Sequence, residues 1–365
     1  MNSDLQPNPS ASVRLLVAAS GTGGHLFPAI AIAEVLEQNG YRIEWLGVRD
    51  RLETQLVPKQ YPLHIIPVEG FQTKLGFKTL AVLGKFVLSL WQTRQLLKRG
   101  QFQGVLTTGG YIAAPAILAA RSLGLPSVLH ESNAIPGKVT RFLSRWCSAV
   151  ALGFAVAKSA LPGVPVQVVG TPVRKAFSQE SAVDLGVTIP DDAFVLVVMG
   201  GSQGARALNR LVRTCADTWL EAGLWIVHLT GDRDPEAGTV THPHYLERPF
   251  FDNMAGLLQR ANFAVSRSGA GSLTELAITG TPSILVPYPY AAEDHQYFNA
   301  KVFIDGGAAY AYREAELTAE DLASLVLELV RSPSKLAKMA ENARRLAVPD
   351  SNVQCAQLVQ QQIQP

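Results

Sequence analysis

Residues 266–275 read Ser-Arg-Ser-Gly-Ala-Gly-Ser-Leu-Thr-Glu, a run of small residues closed by a carboxylate. Small residues leave main-chain N–H groups open to an anion, and a helix starting there adds its dipole, worth about 0.3–1 kcal/mol per favourable charge. Glu275 follows Gly271 by one helical turn and shares its face. A carboxylate cannot hold phosphate, but it accepts two hydrogen bonds from a pair of ribose hydroxyls. Phosphate donors and a diol acceptor one turn apart describe a nucleotide pocket.

A second glycine turn, Gly21-Thr22-Gly23-Gly24, ends in His25. It differs from the dinucleotide fingerprint, because Leu26 stands at the third glycine position and Glu44 falls mid-strand. No Gly-Lys-Ser/Thr follows, so a P-loop is excluded. His25 either caps its turn or acts as a general base on a cleft floor; its place directly after three backbone donors favours the base. A third turn is Thr108-Gly109-Gly110-Tyr111. A fourth is Glu131-Ser132-Asn133, where Glu131 and Asn133 either cap a helix beginning near Pro136 or meet substrate. Arg174 either reaches a phosphate or is a surface arginine. Asp232-Arg233-Asp234 follows a strand beside Gly231 and Pro235, which is ordinary turn chemistry. No cluster has metal-ligand spacing, so neither a tightly bound cofactor nor a required divalent metal is expected.

These turns need strands and helices to hold them. Apolar runs at 14–19, 42–47, 63–67, 104–107 and 127–130 read as buried parallel strands, alternating with helical spacing. Pro28 predicts the first position of a helix running to Asn39 and stopped by Gly40. The pattern restarts at 194–199 with Gly200-Gly201-Ser202-Gln203-Gly204, and continues through strands at 225–230, 261–265 and 283–286. The helix after Ser272 is closed by Gly280, and Thr318 with Asp321 caps another. In doubly wound sheets ligands sit at strand carboxyl ends, so all these turns can line one crevice.

At 365 residues two domains are expected, and prolines 162, 165 and 172 mark the boundary. The expected organisation is a loose tail at 1–12, a domain at 13–168, a second at 169–348 and a final helix within 349–365 packing back towards the first domain. Apolar residues make up 47% and charged ones 17%, a well-cored globular balance. A net charge of +2 argues against a nucleic-acid binder. The three scattered cysteines read as reduced thiols in a cytosolic setting. No apolar stretch approaches the roughly 20 residues that span a bilayer, so the chain is expected to be soluble or peripheral.

Between Gly70 and Gly100 every charged residue is basic: Lys74, Lys78, Lys85, Arg94, Lys98 and Arg99. Phe77, Leu80, Leu83, Phe86 and Trp91 run between them. A helix packed on a sheet explains the apolar stripe but not the all-basic polar set. Basic residues interleaved with aromatic and aliphatic ones suit an anionic membrane surface.

Six motifs in order, over nearly the whole length, carry a resemblance. They are Gly-Thr-Gly-Gly-His-Leu-Phe-Pro-Ala at 21–29, Gly-Gly-Tyr at 109–111, His-Glu-Ser-Asn at 130–133, Gly-Gly-Ser-Gln-Gly-Ala-Arg-Ala-Leu-Asn at 200–209, the stretch at 266–275, and Asp-His-Gln with Asn-Ala at 294–300. The chain resembles glycosyltransferases of family 28 that add N-acetylglucosamine, from UDP-N-acetylglucosamine, to undecaprenyl-pyrophosphoryl-muramyl-pentapeptide. That resemblance implies an α/β GT-B fold, two Rossmann-like doubly wound domains facing across a cleft, on the cytoplasmic face of the cell membrane. It implies His25 as base, Thr22, Gly23 and Gly24 at a pyrophosphate, and Asn133 at the sugar. Arg174 and Ser202 would meet the nucleotide and its phosphates, and the Phe251 backbone the uracil edge. Ala270, Gly271, Ser272, Leu273 and Thr274 would cradle the α-phosphate, Glu275 the ribose, and Gln296 the sugar hydroxyls. Gly109, Gly110, Tyr111 and Glu131 are acceptor-side candidates. The rival readings are another UDP-sugar enzyme of the same fold, such as a glycolipid synthase or an epimerase, and a non-catalytic nucleotide binder.

Overall fold

A computed structural model describes residues 13–49, 51–70, 77–179, 184–186, 188–201 and 204–364. The expected tail at 1–12, Lys74 and Ser202 lie outside them.

The first half runs β1 (Arg14–Ala18), α1 (Gly23–Gln38), β2 (Arg42–Gly47), α2 (Glu53–Leu56), β3 (Leu63–Ile65), α3 (Phe77–Arg99), β4 (Gly104–Thr107), α4 (Ala113–Ser122), β5 (Ser127–Glu131), α5 (Lys138–Leu143), β6 (Ala149–Leu152) and β7 (Val166–Val168). The second runs β8 (Val195–Met199), α6 (Arg206–Glu221), β9 (Trp225–Leu229), β10 (Tyr245–Arg248), α7 (Met254–Arg260), β11 (Phe263–Ser266), α8 (Ala270–Thr279), β12 (Ser283–Leu285), α9 (His295–Asp305) and β13 (Ala309–Ala311). It ends with α10 (Ala319–Val330), α11 (Pro333–Leu346) and α12 (Ser351–Gln362).

Both sheets are parallel. Their orders are β3-β2-β1-β4-β5-β6-β7 and β10-β9-β8-β11-β12-β13, so each half opens with an interior strand and winds outward in both directions. The strands are continuous apolar runs because helices cover both faces; Leu15, Leu16, Val17, Val195, Leu196 and Val197 are all fully buried. The order reverses between β1 and β4, and again between β8 and β11, which are the switch points where such sheets open a crevice.

Three elements differ from expectation. α1 starts at Gly23, not Pro28, because the Thr22 carbonyl already accepts from the N–H groups of His25 and Leu26. Pro28 therefore lies inside the helix, where it has no N–H to offer the Gly24 carbonyl. α8 likewise starts at Ala270, so its glycine turn is the first helical turn.

The third is α3. Its inner face is Val82, Ser89, Thr93 and Leu97, with Phe86 half-buried on the same side. Ser89 and Thr93 turn their hydroxyls back to the carbonyls of Lys85 and Ser89, which suits a face lying close against α4. Leu80, Leu83, Val87, Leu88 and Trp91 point outward, Leu80 67% and Trp91 56% exposed. Leu97, with Phe86, Leu90 and Leu96 packed beside it, holds the helix to the first lobe, and the outward apolar set is surplus to that packing. Of the expected surface residues, Phe86 packs inward, while Lys85 stays exposed and pairs with Glu69.

α12 enters the core of the first lobe. Cys355, Ala356, Leu358, Val359 and Ile363 pack among residues of β1, α1 and β2, and Tyr41 Oη donates to the Ile363 carbonyl at 2.7 Å. The chain therefore crosses between the lobes twice.

Candidate active site

The carboxyl edges of the two sheets face one another, and α1 packs against α8 across the gap. On the first wall, a Cβ at Gly23 would meet the Phe27 ring at 2.8 Å, so a larger residue there would have to displace that ring. Thr22 and Gly24 are exposed at the helix end. One turn on, His25 Nδ1 lies 2.7 Å from the Thr108 carbonyl. A carbonyl only accepts, so Nδ1 carries the proton and Nε2 keeps a free lone pair. Thr108 Oγ1 donates to the His25 carbonyl, holding the same turn from the other side. Gly109 and Gly110, at φ +93° and +73°, lie beneath the imidazole, where an added Cβ would come within 3.5–3.7 Å of the ring. This third turn positions the histidine. Tyr111 turns away, its ring 6.0 Å from the Arg51 guanidinium.

On the second wall, Leu273 N–H donates to the Gly269 carbonyl and closes the first helical bond of α8. The N–H groups of Ala270, Gly271 and Ser272 are then the ones that leave the helix end unpaired. Leu273 does not face the cleft, since its side chain is fully buried in the core. The Thr274 hydroxyl bonds back to the Ala270 carbonyl. Nothing lies within 4 Å of a Cβ built on Gly269 or Gly271, so the space above this helix end is open.

Glu275 and Arg174 join the two walls. Arg174 Nη2 is 3.7 Å from Glu275 Oε1, and its guanidinium lies over Phe27 of α1 at 4.8 Å and over Phe177 at 5.3 Å. Arg174 Nε is buried without a hydrogen-bond partner among the described residues. Burial pushes the Glu275 carboxyl up to about 7, against the pull of Arg174. Phe251 packs into the second core just before α7, which lies against α8. Gln296 Oε1 accepts from Tyr288 N–H at 2.9 Å, leaving its amide N–H groups to donate.

The loop after β5 reaches across. Glu131 is buried, and its carboxylate accepts from Asn133 N–H, Asn133 Nδ2, Gly137 N–H and Thr140 Oγ1. Of its two open readings, the geometry gives the capping one: Glu131 closes the start of α5 and fixes Asn133. His130 Nε2 donates to Gly170 O at 2.9 Å, and Ser351 Oγ donates to Thr171 O at 3.0 Å, so the linker is pinned from both sides. Burial holds the His130 imidazole below its usual range.

Three residues that brace the site escaped the sequence reading. Glu53 is fully buried and accepts from Ser20 Oγ, Gly21 N–H and Val48 N–H, fixing the approach to the turn at Gly21–Gly24. Arg267 holds the carbonyls of Val286 and Pro287 and pairs with Glu314, setting the loop that carries Tyr288. Asn299, fully buried on α9, accepts from Ala134 N–H at 2.8 Å. Its Nδ2 lies 3.1 Å from Asn133 Oδ1 and 3.2 Å from the Ser268 carbonyl. An exposed ion pair, Arg141 with Glu293, also crosses the gap. Exposed pairs contribute at most about 1 kcal/mol, whereas a buried N–H left unpaired costs about 1–3 kcal/mol, so Asn299 is the stronger tie. Arg267 and Asn299 had a signal, their places inside the motifs at 266–275 and 294–300; Glu53 had none. Among the described residues no group of three or more His, Cys, Asp or Glu could hold a metal ion.

The profile of the glycosyltransferase family 28 N-terminal domain matches residues 15–152, and that of the C-terminal domain matches 195–355. The chain belongs to glycosyltransferase family 28. A relative from Nostoc sp. strain PCC 7120 is 61% identical over 358 residues, 97% of this chain and 99% of its own length. It is named UDP-N-acetylglucosamine--N-acetylmuramyl-(pentapeptide) pyrophosphoryl-undecaprenol N-acetylglucosamine transferase, as is a 57% identical relative from Synechococcus elongatus covering 96% of this chain and 98% of its own. Among solved structures, Acinetobacter baumannii MurG superposes with a TM-score of 0.76 at 29% identity, covering 96% of this chain and 99% of that one. A putative UDP-N-acetylglucosamine 2-epimerase from Listeria monocytogenes, at 14% identity, TM-score 0.70 and 96% coverage of both chains, shares the fold alone. The family 28 chain is thus an α/β enzyme with the GT-B arrangement of two facing Rossmann-like lobes.

Proposed function

We propose that this chain transfers N-acetylglucosamine from UDP-N-acetylglucosamine to the C4 hydroxyl of undecaprenyl-pyrophosphoryl-N-acetylmuramyl-pentapeptide, with inversion at the anomeric carbon. The observation that supports the reading is an imidazole with its Nε2 unused and an open helix start on opposite walls of one cleft. His25 presents a free Nε2 from one lobe. The open start of α8, followed by Glu275, faces it from the other. The names of its near full-length relatives supply the two substrates.

His25 Nε2 takes the proton of the C4 hydroxyl as that oxygen attacks the anomeric carbon. The UDP leaving group departs from the opposite face, so the new glycosidic link is β. Its growing negative charge meets the unpaired N–H groups of Ala270, Gly271 and Ser272 and the Arg174 guanidinium. Glu275 takes the ribose hydroxyls and Gln296 the sugar hydroxyls. In this scheme protein groups neutralise the diphosphate, and a chelator leaves turnover unchanged. Radiolabelled sugar transfer from UDP-N-acetylglucosamine to a short-chain analogue of the lipid acceptor tests the whole. UDP release that does not need the muramyl-lipid would point instead to a different UDP-sugar enzyme.

The acceptor's lipid requires an approach to a membrane. Among the described residues no helix is long and apolar enough to cross one. The outward stripe of α3, continued by the exposed Lys98, supports docking on an anionic surface from the cytoplasmic side. Replacing Leu80, Leu83 and Trp91 by Gln is expected to lower sedimentation with anionic vesicles by about tenfold or more, with the fold intact. Unchanged vesicle binding would rule this surface out.

A further inference from the structure

We propose that Asn299 is a positioning residue that couples the phosphate turn at Ser268 to the sugar-facing loop at Asn133–Ala134, so that nucleotide binding in one lobe orders the acceptor side of the other. This rests on the proposed function for the nucleotide site at α8 and for Asn133 at the sugar. The coupling itself rests on hydrogen bonds already described.

Asn299 belongs to α9, yet its side chain touches both lobes. Its orientation is settled by chemistry: Oδ1 takes the Ala134 N–H, so Nδ2 must point at Asn133 Oδ1 and the Ser268 carbonyl. Asn133 is fixed in the same way, because its Nδ2 faces Glu131 Oε1 and its Oδ1 is left to accept from Asn299. A continuous relay results, from Glu131 through Asn133 and Asn299 to Ser268. Ser268 closes it on the other side by donating its hydroxyl to the Gln296 carbonyl. Gly269 and Ala270 follow Ser268 directly, so an anion that tightens the start of α8 pulls on the carbonyl Asn299 holds. The amide is fully buried, and water does not replace its partners cheaply. Asn299 touches neither nucleotide nor acceptor in this scheme; it acts through Asn133 and Ser268.

Hydrogen exchange of the full-length protein with saturating UDP tests the coupling. UDP lacks the sugar that Asn133 would meet, so any effect on its loop must travel through the protein. In the wild type, exchange is expected to slow both at 268–275 and at 131–137. In Asn299→Ala it should slow at 268–275 only, and turnover should fall by about 10²-fold while UDP affinity holds, since misplacement of a reacting group by about 1 Å has that effect. Asn299→Ala should add nothing to the turnover lost in Asn133→Ala. Wild-type protection at 268–275 with 131–137 unchanged overturns the coupling, whatever the variant does. So does linked protection that survives in Asn299→Ala, or a fall in turnover matched by an equal fall in UDP affinity. No response at 268–275 removes the nucleotide reading, and the coupling falls with it.

Discussion

The turn after β4 and the turn after β11 occupy equivalent places, each on the strand beside the opening strand of its sheet. In the first lobe, Gly109 and Gly110 curl at positive φ under the His25 ring, and α4 starts only at Ala113 behind the apolar Ile112. In the second, Gly269 keeps an ordinary φ of −63° and leads straight into α8, with open space above Gly269 and Gly271. One scaffold position is filled by the protein's own imidazole; the other is open, which suits the proposed nucleotide. The architecture supplies an anion-friendly strand end in both lobes, and the residues that close the turn decide between chemistry and binding.

The sharpest way to break this contrast is His25→Ala. Turnover should fall by about 10²–10⁴-fold, the usual worth of a general base, while UDP affinity by calorimetry stays near the wild-type value. A matching loss of UDP affinity would make the first turn a nucleotide site and erase the difference.

Glu275 offers a pH test of the second turn. Its folded-state value of about 7 lies above the ordinary 4.5, so the ionised form is disfavoured in the ligand-free protein. A carboxylate that must accept two ribose hydroxyls binds best ionised, so UDP affinity should rise with pH up to about 7 and then level. In Glu275→Gln that slope should vanish, and affinity should drop by about tenfold, the worth of a lost charge-assisted hydrogen bond. Stability runs the other way. An acid raised on folding weakens the fold as pH climbs from 4.5 through about 7, so the melting temperature of Glu275→Gln should gain on the wild type across that window.

The smallest effects come from the glycines themselves. Gly271→Ala adds a methyl where nothing stands and removes backbone freedom inside a helix, so it should stabilise by about 0.5–1 kcal/mol while weakening UDP binding. Gly109→Ala forces a Cβ into φ +93° beside the imidazole; it should destabilise by about 1–2 kcal/mol and lower turnover without touching UDP affinity. Melting temperatures and calorimetry on the pair read the contrast directly.

Much of this was legible in the chain because the signals are local. β2 and β4 fall where their apolar runs end, Gly280 closes α8 in the left-handed conformation, and Thr318 with Asp321 forms a reciprocal cap on α10. Helix starts were less legible at Gly23 and Ala270, since glycines that look like a loop already make helical bonds. The contacts between distant segments were not legible at all. His25 meets Thr108 across 83 positions and Asn299 meets Asn133 across 166, and no periodicity announces such pairs. The same holds for α3, where spacing shows an apolar stripe but not which side of the helix the protein covers.

The last helix closes the first lobe from the far end of the chain. An added Cβ at Gly104 in β4 would strike the Ile363 side chain at 2.4 Å, so the sheet is shaped around a residue made only after the whole second lobe. The half of the molecule that leaves the ribosome first is therefore finished last. Until α12 emerges, a nascent chain carries an unroofed sheet, and truncation before Ser351 would damage the first lobe although every one of its strands had been made.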